Sequence, residues 1–227
     1  MDAARGGNIS DVKRRLDEGV HTDSQDVNGS TALMWASQSG HEAVCEFLIT
    51  NGCNVHMQNI NGYTALMQAS INGHKAVCEL LITRGCNVDM QSNNGYTALM
   101  SASYYGQKAV CELLITRGCN VDMQDKDGWT ALMGASNNGH EAICELLITR
   151  GCKVDMPNNN GWTALILASY YGMIPVVISL IEAGCDYSLR DKYGRSAMDI
   201  LRQRHPDKVK EVQVSRSPTA VVTHSLI

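Results

Sequence analysis

Nine cysteines and seven histidines are the side chains of this 227-residue sequence best suited to metal or nucleophilic chemistry. His41 and Cys45 stand four apart, as do His74 and Cys78, and His140 and Cys144. That spacing places both groups on one face of a helix. Structural zinc takes four ligands, whereas each pair supplies two and successive pairs stand 33 and 66 residues apart. Cys53 and His56 form a looser pair that occurs once. A cysteine nucleophile needs a base and a group that orients the base, and no third partner can be assigned to a thiol that is repeated and core-facing. No glycine loop of the P-loop type is present. Asp89, Asp122 and Asp155 recur singly, one period apart, and read as turn-stabilising carboxylates rather than as an acid–base pair. The sequence therefore predicts no catalytic residue, no metal, no cofactor and no enzyme.

The period that isolates these groups organises the whole chain. Gly29, Gly62, Gly95, Gly128, Gly161 and Gly194 stand in one register, and the first five open the string G-x-[ST]-A-L-[MI]-x-A-S. Two cysteine columns follow the same period, Cys45, Cys78, Cys111 and Cys144 in one, Cys53, Cys86, Cys119, Cys152 and Cys185 in the other. Equivalent sites in stacked helical units lie roughly 10 Å apart, beyond the Cα separation that a disulfide accepts. Reduced core thiols in a cytosolic or nuclear protein are expected. The net charge of −4 opposes general nucleic-acid binding, although residues 190–227 carry eight basic and four acidic side chains. No apolar run approaches the ~20 residues of a membrane span, and no basic n-region with a cleavable apolar stretch opens the chain. A soluble, non-secreted monomer is expected.

Within one unit, 59–91, Thr64 is placed to cap a first helix carrying Leu66, Met67 and Ala69, and Thr31, Thr97, Thr130 and Thr163 repeat it. Gly73 closes that helix, and a second, His74 to Thr83, presents Val77, Cys78, Leu80, Leu81 and Ile82 before Gly85 stops it. Pro175 falls in the first turn of its helix, where a missing N–H costs little. Helices of two to three turns do not persist alone in water, so each unit must stack on its neighbours.

Thr64-Ala65-Leu66-Met67-Gln68-Ala69, Gly-His at 40–41, 73–74 and 139–140, and Leu-Leu-x-x-x-Gly at 80–85, 113–118 and 146–151 resemble the ankyrin-repeat family. The resemblance implies an all-α solenoid of helix–turn–helix units with β-turn tips. Its divisions would be an N-terminal capping half-repeat at 1–25, five repeats at 26–58, 59–91, 92–124, 125–157 and 158–190, a C-terminal capping repeat at 191–213, and a flexible tail at 214–227. Alanine replaces the family's proline at the helix start, and Met34, Met67, Met100 and Met133 replace its histidine, which predicts an apolar, softer filling there.

Copies differ mainly beside the turn glycine, at the x of A-L-M-x-A, and in the two residues after A-S. Tyr63, Tyr96, Trp129 and Trp162 follow turn glycines, while Trp35, Tyr104, Tyr105, Tyr170 and Tyr171 fall on the first-helix face. In the family that face and the tips line a concave groove. The resemblance thus implies a protein partner held by these rings, with Lys126, Asp127 and Asn159 tuning its choice. The competing expectation is a spacer or regulatory segment of a larger scaffold, kinase or channel. Repeated charges on the second helix, such as Glu79 and Arg84, read as solvated surface. In the tail, Ser217-Pro218 beside Arg216 resembles a phosphorylation site, and Ser225–Ile227 resembles a weak carboxyl-terminal PDZ ligand.

Overall fold

The structure, a computed structural model, describes residues 1–215. Ser217-Pro218 and Ser225–Ile227 lie outside the described residues. Two compact units divide the chain after Lys126.

The first unit holds α1 (Asp2–Arg5), α2 (Ile9–Asp17), α3 (Ala32–Ser39), α4 (Glu42–Thr50), α5 (Ala65–Ile71), α6 (Lys75–Thr83), α7 (Ala98–Tyr104) and α8 (Lys108–Thr116). The second holds α9 (Ala131–Asn137), α10 (Glu141–Thr149), α11 (Ala164–Tyr171), α12 (Ile174–Glu182), α13 (Ala197–Arg204), a 3₁₀ turn at Pro206–Lys208 and α14 (Val209–Ser215). Among the described residues, extended pairing is limited to the isolated bridges Gln25–Thr31 and Arg190–Ser196.

Each first helix starts because a threonine hydroxyl takes one of the N–H groups that a helix terminus leaves unpaired. Thr31, Thr64, Thr97, Thr130 and Thr163 accept from the backbone N–H three residues on at 3.2–3.3 Å. At α13 Ser196 and Asp199 close a full capping box. Pro175 sits in the first turn of α12, as expected.

Inside the first unit α1, α3, α5 and α7 pack in succession as one layer, and α2, α4, α6 and α8 as the other. The second unit repeats this with α9, α11 and α13 against α10, α12 and α14. Leu33, Leu48, Leu66, Leu81, Leu99 and Leu114 are fully buried in the first, Leu147 and Leu167 in the second. Burying each such side chain stabilises by about 1.5–3 kcal/mol, which is what helices of seven to nine residues need to exist. The methionines in place of the family's histidine are buried, Met67 and Met133 to 1% exposure.

The glycine closing each first helix serves a second purpose. A Cβ on Gly40 would lie 2.6 Å from Nδ1 of His74, and one on Gly73 2.2 Å from Oε1 of Gln107. The same side chains reach back to the preceding repeat. His41 Nε2 donates to the Arg5 carbonyl at 2.9 Å, His74 Nε2 to that of Gln38 at 3.0 Å, and Gln107 Nε2 to that of Ile71 at 3.2 Å. His41 and His74, two of the histidines in the His–Cys pairs, are thus ties between repeats.

Candidate functional site

The tips that carry the variable residues are built from short polar side chains. Asn59 accepts through Oδ1 from the N–H groups of Asn61 and Tyr63 at 3.0 and 2.9 Å, and Asn158 does the same for Asn160 and Trp162. Asp26 and Asp191 hold their turns alike. This bonding fixes the residue after each turn glycine, the site of the aromatic column.

Successive tips are then joined through backbone. In the first unit Ile60 donates to Asn28, Asn93 to Asn61 and Lys126 to Asn94; in the second Asn159 donates to Asp127 and Lys192 to Asn160, all at 3.0 Å. A glutamine ladder reinforces the first unit. Gln58 Nε2 donates to its own Gly62 carbonyl at 2.7 Å and to that of Gln91 at 2.9 Å, and Gln91 repeats this toward Gly95 and Gln124. Sequence reasoning missed it, although Gln25, Gln58, Gln91 and Gln124 share one register. Lys126, Asp127 and Asn159 therefore have backbones committed to the ladder and exposed side chains.

In the first unit Tyr63 and Tyr96 are half-buried, whereas Tyr104 is 42% and Tyr105 55% exposed. The Tyr104 and Tyr105 rings meet edge-on at 5.2 Å. Burial pushes the Tyr63 phenol above its ordinary range, and the nearby Tyr105 phenol adds to the effect. The tip residue and the tyrosine pair thus occupy one surface. Trp35 stands in a cluster of its own: its indole N–H donates to Asp26 at 2.9 Å and the Arg5 guanidinium lies 5.0 Å from the ring. Burial would raise the Asp26 carboxyl, but the N–H groups of Ser30, Trp35 and Asn28 together hold it below the ordinary range. Trp35, Gln38, Gln68, Asn28 and Asn61 border a cleft of about 310 Å³.

In the second unit Trp129 and Trp162 are half-buried at their tips. Trp162 packs on Tyr170 with ring centroids 5.0 Å apart, and Tyr170 on Tyr171 at 5.0 Å. Tyr171 remains 46% exposed. Arg204 covers Tyr170 at 3.8 Å. The cationic caps on rings, from Arg5 and Arg204, had no signal in the repeat because both lie in the end units.

Three details refine the sequence readings. The x of A-L-M-x-A is not a contact position throughout: Leu167 is fully buried and Ser101 turns its hydroxyl to the Thr97 carbonyl at 3.0 Å. The carboxylates of Asp89 and Asp155 stabilise the next repeat rather than their own turns, accepting from the N–H groups of Asn120 and Asp186. The second-helix charges pair between repeats, Arg84 with Glu46 at 3.3 Å and Arg117 with Glu79 at 2.8 Å. Exposed pairs of this kind stabilise by at most about 1 kcal/mol.

All nine cysteines are buried free thiols. Burial pushes Cys45, Cys78, Cys111 and Cys144 up to about 11, and Cys53, Cys86 and Cys119 to about 12. Sγ of the first four lies 3.5–3.6 Å from Oγ of Ser37, Ser70, Ser103 and Ser136. Groups of that kind are poor nucleophiles at neutral pH. Among the described residues no three His, Cys, Asp or Glu side chains gather in a way that could hold a metal ion, and no helix is long and apolar enough to cross a membrane.

A family model described as "Ankyrin repeats (3 copies)" matches residues 1–92, 43–125 and 99–191. Among solved structures, the ankyrin repeat domain of human ASB11 superposes with a TM-score of 0.84 at 23% identity, over 96% of this chain and 97% of that one. The ankyrin repeat domain of Bcl-3, described as a unique member of the IkappaB protein family, gives 0.78 at 25% identity over 93% and 96%. Osteoclast-stimulating factor 1 of Rattus norvegicus and that of Bos taurus are each 43% identical over 49 residues, 22% of this chain. That segment spans 23% of the length of these curated relatives.

Proposed function

The chain belongs to the ankyrin-repeat family, whose fold generally serves as a protein–protein interaction module, and on that premise we propose that it is a non-enzymatic adaptor. It binds a protein partner through the groove face of each unit, where hairpin tips meet the ends of the first helices. The observation that carries this reading is the exposure of Tyr104, Tyr105 and Tyr171 in chains of ring contacts that hold them in place. Two-torsion aromatic side chains lose little entropy when a partner covers them. Half-burial gives Tyr63, Tyr96, Trp129 and Trp162 a packing role at their tips, whereas Tyr104, Tyr105 and Tyr171 keep 42–55% of their surface open to a partner. Lys126, Asp127 and Asn159 add polar discrimination at the tips, and Trp35 serves as a wall of its cleft. Buried, reduced thiols fit a cytosolic or nuclear setting.

The test is comparative affinity capture. A Tyr104→Ser/Tyr105→Ser/Tyr171→Ser variant is expected to lose the proteins that the wild type retains while keeping its helical circular dichroism. An Arg84→Ala/Arg117→Ala variant, altered on the second helices, is expected to keep them. Equal retention by the tyrosine variant and the wild type would remove the basis for the proposal.

A further inference from the structure

The tyrosine stack of the second unit ends on a cation prepared for an acidic ligand. The Arg204 guanidinium lies 3.8 Å from the Tyr170 ring centroid, and its Nε donates to the Tyr170 carbonyl at 3.1 Å, in the last turn of α11. Ring and carbonyl together fix the plane of the group. Its two terminal nitrogens make no bond among the described residues, and the residue is exposed. Beside it Lys208 Nζ donates to the Gly172 carbonyl at 3.1 Å. Neither cation has a carboxylate in salt-bridge contact among the described residues. Asp191 pairs with Arg195 at 2.7 Å, and Asp199 with Arg190 at 3.2 Å and Arg202 at 3.8 Å; Asp207 and Glu211, the exposed carboxylates nearest in sequence, form no salt bridge with either cation.

We propose that this end of the second unit recognises an acidic peptide segment, with a Glu or Asp carboxylate taken in a bidentate pair by the terminal nitrogens of Arg204 and the adjacent apolar side chain packed on Tyr171 and Trp162. The proposal rests on the reading of that face as a partner surface and names the chemistry of the partner. A planar guanidinium matches a carboxylate with two parallel N–H···O bonds. Here it is already ordered, so little rotamer entropy is lost when the pair forms. Lys208 adds positive potential beside the fork. A nucleic acid would also stack on rings and Arg, but it calls for an extended basic field, and the whole chain carries −4.

The test selects random dodecapeptides displayed on phage against the full chain, then titrates a fluorescein-labelled selected peptide by anisotropy. Selected peptides are expected to carry Glu or Asp next to a large apolar residue. Replacing that acid with its amide, or making Arg204→Gln, should each weaken binding roughly tenfold or more, and not additively when combined. Arg204→Lys, which keeps the charge without the fork, should recover only part of the loss. Melting temperatures of the variants near that of the wild type certify the fold. Pools without acidic enrichment, or pools unchanged by Arg204→Gln, would overturn the acidic-peptide proposal while leaving the adaptor reading intact. Peptides bound equally by a Trp162→Ala/Tyr171→Ser variant would overturn both, as would a library yielding nothing above the background of that variant. A twenty-nucleotide single-stranded DNA that bound more tightly than the selected peptide would reassign the surface to nucleic acid and refute the proposal.

Discussion

Ser169 is the one described residue whose buried side-chain oxygen has no hydrogen-bond partner. Its cause is visible in the repeat. Ser37, Ser70, Ser103 and Ser136 each face a cysteine eight residues on, with Oγ and Sγ 3.5–3.6 Å apart. Eight residues after Ser169 stands Val177, fully buried and unable to bond. A buried hydroxyl left unpaired costs roughly 1–3 kcal/mol. Ser169→Ala removes only that oxygen, so it is expected to stabilise the chain by about 1 kcal/mol, or a rise of roughly 2–4 °C in Tm at this length. Ser136→Ala removes an oxygen that is paired and should lower stability by about 0.5–1 kcal/mol. In a Val177→Cys background the partner is restored, and the benefit of Ser169→Ala should vanish, which a double-mutant cycle reads as coupling. Thermal unfolding followed by tryptophan fluorescence suits the purpose, because Trp162 lies in the same repeat as Ser169. If Ser169→Ala lowers Tm as much as Ser136→Ala does, the unpaired hydroxyl is not a liability and the reasoning fails.

Two further outcomes follow from the same columns. With thiols pushed up to about 11 and 12 by burial, native protein at pH 8 should react with Ellman's reagent far more slowly than denatured protein, in which nine thiols should titrate at once; rapid native labelling would contradict the burial. Gln58→Ala deletes two bonds of the ladder and should cost about 1–2 kcal/mol by urea denaturation, whereas Arg117→Ala, which breaks an exposed pair, should cost no more than about 1 kcal/mol. The reverse order would show that the second-helix charges and not the amides join the repeats.

The period, the threonine caps, the turn glycines and the buried cysteines were legible because each is dictated within one unit. A hydroxyl before an apolar run marks a helix start wherever that run packs. What was not legible depends on a neighbour. The Asp89 carboxylate reads as a local turn former, yet its acceptor geometry is completed by Asn120 of the next repeat. His74 looks like half a metal site until the Gln38 carbonyl is placed opposite it. The same limit applied to the candidate surface. Its aromatic composition was readable in the chain, but not that Tyr104, Tyr105 and Tyr171 stay open while Trp162 and Tyr63 are half covered. Nor could the chain alone place Arg204 over Tyr170, since that pairing joins a capping helix to a repeat of different sequence.

The most direct measurement is hydroxyl-radical footprinting of the chain, free and bound to a captured partner, read by mass spectrometry at single residues. Tyr104, Tyr105 and Tyr171, all open in the free chain, should become protected, while Tyr187, 49% exposed in the segment between α12 and α13, should oxidise at an unchanged rate. Protection of Tyr187 and of second-helix side chains, with the three tyrosines oxidised as before, would place the partner on another face and contradict the account.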